Sequence, residues 1–312
     1  MSSYILVIGS INMDFIINTQ KFPAHADDEI TGDSYKQMMG GKGANQAVAI
    51  SRMGAEVIFS CNLGNDSFSK LLLNRLKEEN INTDFVYIDQ NKKTGTVFIL
   101  VRPDGEHSLI LVPGANASFK KEKIEMLEDT IKKADIILTQ LEIPIESVRS
   151  IVKLANKYSV PVVLDAGPAQ KVPLDYFKGV YILSPNESEA SILTGININC
   201  DESRKKAAKK LLSNGVDNVV FKMGKNGALV ADKNGFKTYP AFKIKSIDTT
   251  GAGDAFTAAL TYIVSKRKKL HEAIKFANAA GALAVSKAGT TESLPTKKQI
   301  EEFIGLRNEV LK

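Results

Sequence analysis

Short apolar runs alternate with longer amphipathic segments along most of the chain. The apolar runs have the length and β-branched content of buried strands, and they lie at Tyr4 to Gly9, Val57 to Cys61, Ile136 to Leu138, Val162 to Leu164, Tyr181 to Leu183 and Val219 to Phe221. Helical periodicity predicts helices at Asn45 to Met53, Ser67 to Leu76, Glu146 to Lys157 and Ser203 to Leu212. Repeated βα units predict an α/β fold with a doubly wound, mostly parallel central sheet flanked by helices.

Two segments interrupt this alternation, because neither contains the helix that a βα unit requires. Residues 14–39 contain two strand-like pieces, and residues 95–113 read as a hairpin that turns at Pro103-Asp104-Gly105. We expect both segments to form a small sheet over one end of the main sheet, where in an enzyme it would act as a lid that excludes water. The absence of repeats and interdomain linkers favours a single α/β domain over residues 1–312.

Composition narrows the class of protein. The chain has 312 residues, 44% of them hydrophobic, and a formal net charge of +6. Glutamates intersperse the lysine clusters and no aromatic residues interleave them, so we expect solvated helix faces and no nucleic-acid partner. The apolar run from Ile5 to Ile8 is too short for a signal or membrane segment, which favours a cytoplasmic protein with no membrane partner. Cys61, Cys200 and the three histidines show no metal-binding spacing.

The segment Asp248-Thr249-Thr250-Gly251-Ala252-Gly253-Asp254 precedes a helix-forming stretch. Gly251, Ala252 and Gly253 leave backbone N–H groups free to face an anion at a helix N-terminus. A carboxylate beside a phosphate is repelled by it, so Asp254 is useful there mainly as a base for a hydroxyl that attacks phosphorus. The pattern indicates phosphoryl transfer to a hydroxyl, while simple helix capping by Asp254 remains an alternative.

A second glycine-rich segment, Gly40-Gly41-Lys42-Gly43-Ala44-Asn45-Gln46-Ala47, opens a predicted helix. A lysine in the first turn of a helix is unfavourable, and no acidic residue in that turn compensates Lys42. A group outside the helix must therefore meet its charge. Asn45 offers a donor and an acceptor to hydroxyls, although a solvated loop is the alternative.

Polar residues also follow predicted strands at the edge where α/β sheets bind ligands. Asn12 and Asp14 share one side of an extended segment and suit a polyhydroxylated substrate, and Glu142 lies at the end of another strand. Turn formation or capping explains each of them separately.

Two further loops have features of a nucleotide site. Asn186-Glu187-Ser188-Glu189 begins a helix, where its acids would organise Mg²⁺ or only complement the helix dipole. Lys222-Met223-Gly224-Lys225-Asn226-Gly227 reads as a turn between strands. Because the sequence has neither a Walker A motif nor G-x-G-x-x-G after a strand, both of those nucleotide-binding classes are excluded.

Together these segments resemble the ribokinase-like carbohydrate kinase family, in order and spacing, over nearly the whole chain. The resemblance implies that ATP phosphorylates D-ribose at its 5-hydroxyl, with Asp254 as the base and Gly251, Ala252 and Gly253 as the anion hole. It implies sugar contacts from Asn12, Met13, Asp14, Gly41, Lys42, Gly43, Ala44, Asn45, Glu142 and Asp254. It implies ATP contacts from Asn186, Lys222, Met223, Gly224, Lys225, Asn226, Gly227, Gly253 and Asn278.

The same resemblance implies two metal ions and a partner. Glu189 matches the position linked to Mg²⁺ through water. The positions that match a potassium-type site are Asp248, Thr250, Ala284, Lys287, Gly289 and Ser293. Pairing of the small sheets would make a homodimer, as the exposed edges of such a sheet also favour.

The chain departs from the family pattern at two places. Lys222 stands where threonine is commoner, and Asp165-Ala166-Gly167-Pro168-Ala169 replaces Asn-Pro-Ala-Pro-Ala. The first could alter nucleotide affinity or donor preference. The alternatives are a sister kinase for deoxyribose, fructose or adenosine and, from another class, a non-catalytic sugar or nucleotide sensor.

Overall fold

Strands and helices alternate along the chain in the computed structural model, which describes residues 3–25 and 27–309. The strands are β1 (Ile5–Ile8), β2 (Asn12–Thr19), β3 (Gly32–Gly40), β4 (Val57–Gly64), β5 (Val86–Asp89), β6 (Gly95–Val101), β7 (His107–Val112), β8 (Ile136–Gln140), β9 (Val162–Asp165), β10 (Ile182–Ser184), β11 (Asn218–Lys222), β12 (Ala228–Asp232) and β13 (Gly235–Tyr239). The helices are α1 (Lys42–Arg52), α2 (Ser67–Glu78), α3 (Lys121–Glu125), α4 (Glu128–Lys133), α5 (Ile145–Lys157), α6 (Glu187–Thr194), α7 (Asp201–Ser213), α8 (Ala252–Ser265), α9 (Leu270–Val285) and α10 (Lys297–Glu309).

The main sheet has the order β13-β12-β11-β10-β9-β8-β1-β4-β5 within the described residues. Strands from β11 to β5 pair in parallel, whereas β12 pairs antiparallel with both β11 and β13. Each predicted strand is present, and the predicted α/β class with a mostly parallel sheet is confirmed. The carboxyl ends of β1, β8, β9, β10 and β11 meet at one edge, where the loops that follow them come together.

Helices cover both faces of this sheet. Ile5 and Val7 of β1 belong to the apolar cluster that includes α1, α8 and α9, while Leu6 and Ile8 belong to the cluster on the opposite face with α5 and α7. This alternation follows from the two-residue period of a strand and leaves all of β1 buried. In the part of the chain that the structure describes, no helix combines the length and hydrophobicity needed to cross a membrane.

The two interrupting segments form a second, smaller sheet with the order β3-β2-β6-β7. β2 pairs antiparallel with β3 and in parallel with β6, so that Asn12 lies between Gly40 and Gly95. Phe15 stacks on Phe98 with ring centroids 5.2 Å apart. The small sheet predicted from the two segments is therefore present, and its function as a lid stays a prediction.

Helix α1 links the small sheet to the C-terminal part of the fold. It begins directly after β3, and at its other end the Arg52 guanidinium donates to the backbone oxygens of Thr291 and Leu294 at 2.5 and 3.2 Å. Arg52 also contacts Glu79 through two hydrogen bonds. These bonds fix the C-terminal end of α1, while its N-terminal end continues from β3.

Candidate active site

The first turn of α1 begins three residues earlier than the helix predicted from Asn45, because a carboxylate from elsewhere caps it. Glu142 Oε2 accepts the backbone N–H of Lys42 at 2.9 Å and the hydroxyl of Ser10. Gly41, with φ of 89°, makes the turn into the helix, and a Cβ there would lie 2.7 Å from Ile11 Cα. The glycine loop is thus packed against the backbone that follows β1.

Lys42 lies among carboxylates, as its unfavourable place in the helix required. Its Nζ is 3.7 Å from Asp254 Oδ1. Burial opposes the charge of this ammonium, but Asp254, Asp165, Glu189 and Glu142 raise the pKa of Lys42 above its ordinary value. A fixed positive charge therefore stands next to Asp254.

Asp254 projects from the first turn of α8 toward α1. Its Oδ2 accepts from Asn45 Nδ2 at 2.9 Å, and its Oδ1 accepts from Gln46 Nε2 at 3.0 Å. Gly251, at φ of 76°, is the N-cap residue of α8, and as a glycine it has no side chain with which to cap the helix. The contacts of the Asp254 carboxylate thus differ from those of a capping residue, which disfavours the capping alternative.

Gln46 connects Asp254 to a buried network that the sequence interpretation missed. Its Nε2 also donates to Asp165 Oδ2 at 3.1 Å, and its Oε1 accepts from Gln140 Nε2 at 2.8 Å. Asp165 is fully buried and accepts further hydrogen bonds from Thr257 and Lys222. A sequence signal did exist, because Lys42, Asn45 and Gln46 have the i, i+3, i+4 spacing that places side chains on one helix face.

Among the predicted sugar-site residues, three buried polar atoms have no hydrogen-bond partner within the described residues. They are Asn12 Nδ2, Asp14 Oδ1 and Asn45 Oδ1, one donor and two acceptors. Burial, and then the charges of Glu142 and Asp254, raise the pKa of Asp14 to about 7. Because buried polar groups are normally paired, these atoms mark a place for a ligand with several hydroxyls.

The orientation of Asn12 is set by Asn116, another residue without a clear sequence signal. Asn116 Nδ2 donates to Asn12 Oδ1 at 2.8 Å and to the backbone oxygen of Ile11 at 3.0 Å. Asn116 Oδ1 accepts the N–H of Ile11 at 3.0 Å. The amide of Asn12 therefore directs its Nδ2 donor away from Asn116.

Not every residue of the predicted sugar site presents its side chain there. Met13 and Ala44 belong to the apolar core, since Met13 alternates with Asn12 and Asp14 along β2. Their backbone alone remains available to a sugar. Gly43 lies close to Ser10, whose backbone N would be 2.6 Å from a Cβ at that position.

The predicted nucleotide residues lie beyond Asp254 on the same edge of the sheet. Asn186 and Glu189 form a capping box for α6, with Glu189 N donating to Asn186 Oδ1 at 2.8 Å and Asn186 N donating to Glu189 Oε2 at 2.7 Å. The backbone of Asn186 also forms an isolated parallel β-bridge with the backbone of Lys222. Glu189 therefore does cap this helix, as the alternative interpretation proposed. Its Oε2 also lies 3.7 Å from Lys222 Nζ.

Residues 222–227 form the predicted turn between β11 and β12, closed by the N–H of Met223 donating to the oxygen of Gly227 at 2.8 Å. Lys225 and Asn226 lie at its exposed tip, within a 3₁₀ turn that begins at Gly224. Asn278 of α9 donates to the oxygen of Pro240 at 3.1 Å. Lys222 Nζ, at the start of the turn, lies 3.8 Å from the place that a Cβ at Gly253 would occupy, so the turn lies close to the start of α8.

The positions of the predicted cation site also lie together. Asp248 Oδ1 accepts from Thr250 N at 2.9 Å, and its Oδ2 accepts from Gly289 N at 3.1 Å. Lys287 N donates to the oxygen of Ala284 at 3.3 Å, and the Ser293 hydroxyl donates to the oxygen of Thr290 at 2.9 Å. Asp248 thus joins the loop before α8 to the loop after α9.

Comparison with known proteins gives one consistent result. The model of the pfkB family carbohydrate kinases matches residues 2–297. Ribokinase of Haemophilus influenzae is 36% identical over 304 residues, which cover 97% of this chain and 99% of that protein. A deoxyribokinase of Salmonella typhi is 31% identical over 303 residues, which cover 97% and 99%. The solved structure of Arabidopsis thaliana ribokinase complexed with ribose and ATP has a TM-score of 0.91 and 31% identity, and it covers 97% of this chain and 99% of that one.

Proposed function

Because the chain belongs to the pfkB family of carbohydrate kinases, we propose that it transfers the terminal phosphoryl group of ATP to the 5-hydroxyl of D-ribose. The products are D-ribose 5-phosphate and ADP. The observation that carries this proposal is the group of unpaired polar atoms on Asn12, Asp14 and Asn45 beside Asp254. One donor and two acceptors suit a small polyhydroxylated molecule whose reacting hydroxyl faces the carboxylate.

Asp254 acts as the general base. Hydrogen bonds from Asn45 and Gln46 hold its carboxylate in one orientation, and the Lys42 ammonium lies 3.7 Å from Oδ1. The carboxylate accepts the proton of the 5-hydroxyl as that oxygen attacks the γ-phosphorus, and the bridging oxygen leaves with ADP. Backbone N–H groups at the start of α8, in Gly251, Ala252 and Gly253, stabilise the charge on the transferred group.

The donor set near α6 fits Mg²⁺. Glu189 is buried and directs a carboxylate toward Lys222 and Lys42, and oxygen ligands from one carboxylate plus phosphates are the usual surroundings of this ion. When bound with the nucleotide, Mg²⁺ would neutralise charge on the phosphate oxygens.

The loops around Asp248 fit a monovalent cation such as K⁺. Thr290 Oγ1 is buried without a hydrogen-bond partner in the described residues, and the preceding Gly289 is bound to the Asp248 carboxylate. The holding residues would be Asp248, Thr250, Ala284, Lys287, Gly289 and Ser293. Such an ion would add positive charge next to the anion hole, since Gly251 lies against Thr290.

The small sheet supports two further parts of the proposal. It carries exposed apolar side chains, those of Tyr35, Leu109, Ile110 and Val112. Leu109 and Ile110 are consecutive in β7, so their side chains point to opposite faces of the sheet. One face would close over the sugar as a lid, and the other would pair with a second copy in a homodimer. Sedimentation analysis of Ile110→Asp and Leu109→Asp variants tests the dimer, because disruption of pairing produces a monomer.

The enzymatic proposal is tested by a coupled ADP-release screen over D-ribose, deoxyribose, fructose and adenosine. The highest kcat/KM is expected with D-ribose, and NMR of the product should locate the phosphate on the 5-oxygen. A higher kcat/KM for deoxyribose than for D-ribose would instead indicate a deoxyribokinase, the activity for which the Salmonella typhi relative is named. ADP release with none of these acceptors would instead favour the non-catalytic sensor.

A further inference from the structure

Lys222 places a second ammonium at the phosphoryl-transfer site. Its Nζ lies 3.0 Å from both carboxylate oxygens of Asp165 and 3.7 Å from Glu189 Oε2. The same nitrogen is 3.8 Å from the place that a Cβ at Gly253 would occupy. The ammonium therefore stands beside the first turn of α8, next to the backbone segment that the proposed function assigns to the anion hole.

Asp165 holds this ammonium in a fixed position. The carboxylate is fully buried at the end of β9, and it also accepts from Gln46, from Thr257 Oγ1 at 2.8 Å and from the N–H of Gly167 at 3.0 Å. Burial acts to raise the pKa of Asp165, but Lys222 and then Lys42 lower it below its ordinary value. The carboxylate is therefore ionised and tied at several points.

An ammonium has three N–H donors, so its contacts with Asp165 do not use all of them. The side chain of Lys222 is also 10% exposed, in contrast to the 0% of Asp165. A buried ion pair by itself contributes little to stability, since desolvation offsets the attraction between the charges. A cation held open toward an anion site has a different use, because it can stabilise charge that develops during the reaction.

We propose that Lys222 is a catalytic cation, which donates to the terminal phosphoryl group of the nucleotide, and that Asp165 is its positioning residue. The proposal rests on the proposed function for the presence of a triphosphate donor. In the transfer step the sugar oxygen bonds to the γ-phosphorus, its proton goes to Asp254, and the bond to the bridging oxygen breaks with its electron pair on ADP. Lys222 keeps its protons and stabilises charge on the equatorial oxygens.

A comparison of single and double variants separates this function from a structural ion pair. Lys222→Met alone leaves Asp165 without its nearest cation, so both folding and turnover are expected to suffer. Asp165→Asn combined with Lys222→Met removes both charges, and its thermal unfolding midpoint should lie above that of Lys222→Met. Recovery is incomplete, because asparagine keeps one acceptor oxygen for the donors that Asp165 binds with two. The kcat of the double variant should stay about 100-fold lower than that of the wild type, the usual loss for one donor to transition-state charge. Recovery of kcat together with the midpoint would overturn the proposal.

A second measurement keeps the test independent of the sugar. In calorimetric titrations without acceptor, the preference for a non-hydrolysable ATP analogue over ADP should fall about 10-fold in the double variant, the lower range for a hydrogen bond to a charged group. Lys222→Arg keeps the positive charge and should keep most of this preference. This variant and Lys222→Met still test the proposal if the double variant does not fold. Lys233→Met, in the exposed turn between β12 and β13, is the matched control and should leave it unchanged. An unchanged preference in both the double variant and Lys222→Met would also overturn the proposal.

These measurements distinguish failure of the Lys222 proposal from failure of the proposed function. A wild-type protein that releases no ADP with D-ribose contradicts the choice of acceptor. A Lys222-dependent preference for the triphosphate would nevertheless support the nucleotide contact in the same protein.

Discussion

The substitution Asp14→Asn should stabilise the empty protein while it weakens sugar binding. Asp14 is only 6% exposed, and its Oδ1 has no hydrogen-bond partner among the described residues. Burial first, and then the charges of Glu142 and Asp254, raise the pKa of this carboxyl from 3.8 to about 7. Asparagine has nearly the same shape and no charge, so the substitution removes the cost of ionising a buried carboxylate.

The sign and size of the effect follow from proton linkage. Between pH 3.8 and pH 7 the folded state binds more protons at Asp14 than the unfolded state, so this group lowers the free energy of unfolding as the pH rises. About three pH units at about 1.4 kcal/mol each give a total near 4 kcal/mol above pH 7. About 2.5 kcal/mol of this total develops between pH 5 and pH 8.

Urea unfolding at pH 5 and pH 8, without ligands, measures the difference. The gain in stability of Asp14→Asn over the wild type should be larger at pH 8 than at pH 5 by about that amount. Asp33→Asn is a matched control on the exposed part of β3 and should change stability by no more than about 0.5 kcal/mol. Equal gains at the two pH values, or a loss at pH 8, would refute the reasoning.

Three further predictions concern the active site. Asp254→Asn should lower kcat by about 10² to 10⁴ in the ADP-release assay, because it removes the general base, while nucleotide affinity by calorimetry stays nearly unchanged; near-normal turnover would contradict the assignment. Asn116→Ala should raise the KM for D-ribose about 10-fold or more with a smaller change in kcat, because Asn12 loses the amide bond that orients it; an unchanged KM would exclude that contribution. Replacement of K⁺ by Na⁺ at fixed ionic strength should lower turnover, and equal rates would count against the cation site.

The main sheet was predictable because its strands are continuous apolar runs. β1, with four buried residues in succession, can only be a strand covered on both faces or part of a buried helix, and its length decides between them. β5 was missed because its side chains are half-buried or exposed at the edge of the sheet, where the apolar signal is weak. The short helices α3 and α4 were missed for a related reason, since neither is long enough to show a helical period.

The candidate site was predictable where a residue type was out of place for its local structure. Lys42 in an uncompensated first turn pointed to a compensating group outside the helix, and Asp254 beside three small residues pointed to an anion. The residue types of Gln46 and Asn116 gave no such signal, because an amide in a helix or a turn is ordinary in itself. The spacing of Gln46 from Lys42 and Asn45 was its only sequence signal. The importance of Gln46 and Asn116 depends on contacts with residues 208 and 104 positions away, which only the three-dimensional structure supplies.

The small sheet has a consequence for the order of folding. Its central strands, β2 and β6, pair although most of the first hundred residues of the chain separate them. The core residues of α1 and β4 lie between these two strands in the sequence, and those of β1 precede them. Pairing over such a separation has a high loop-closure cost until the intervening segments have folded. We therefore expect Asn12 and Asp14 to acquire their positions only after Gly95–Val101 has docked beside β2, and a nascent chain to become competent to bind sugar only later still, when Asp254 has been added.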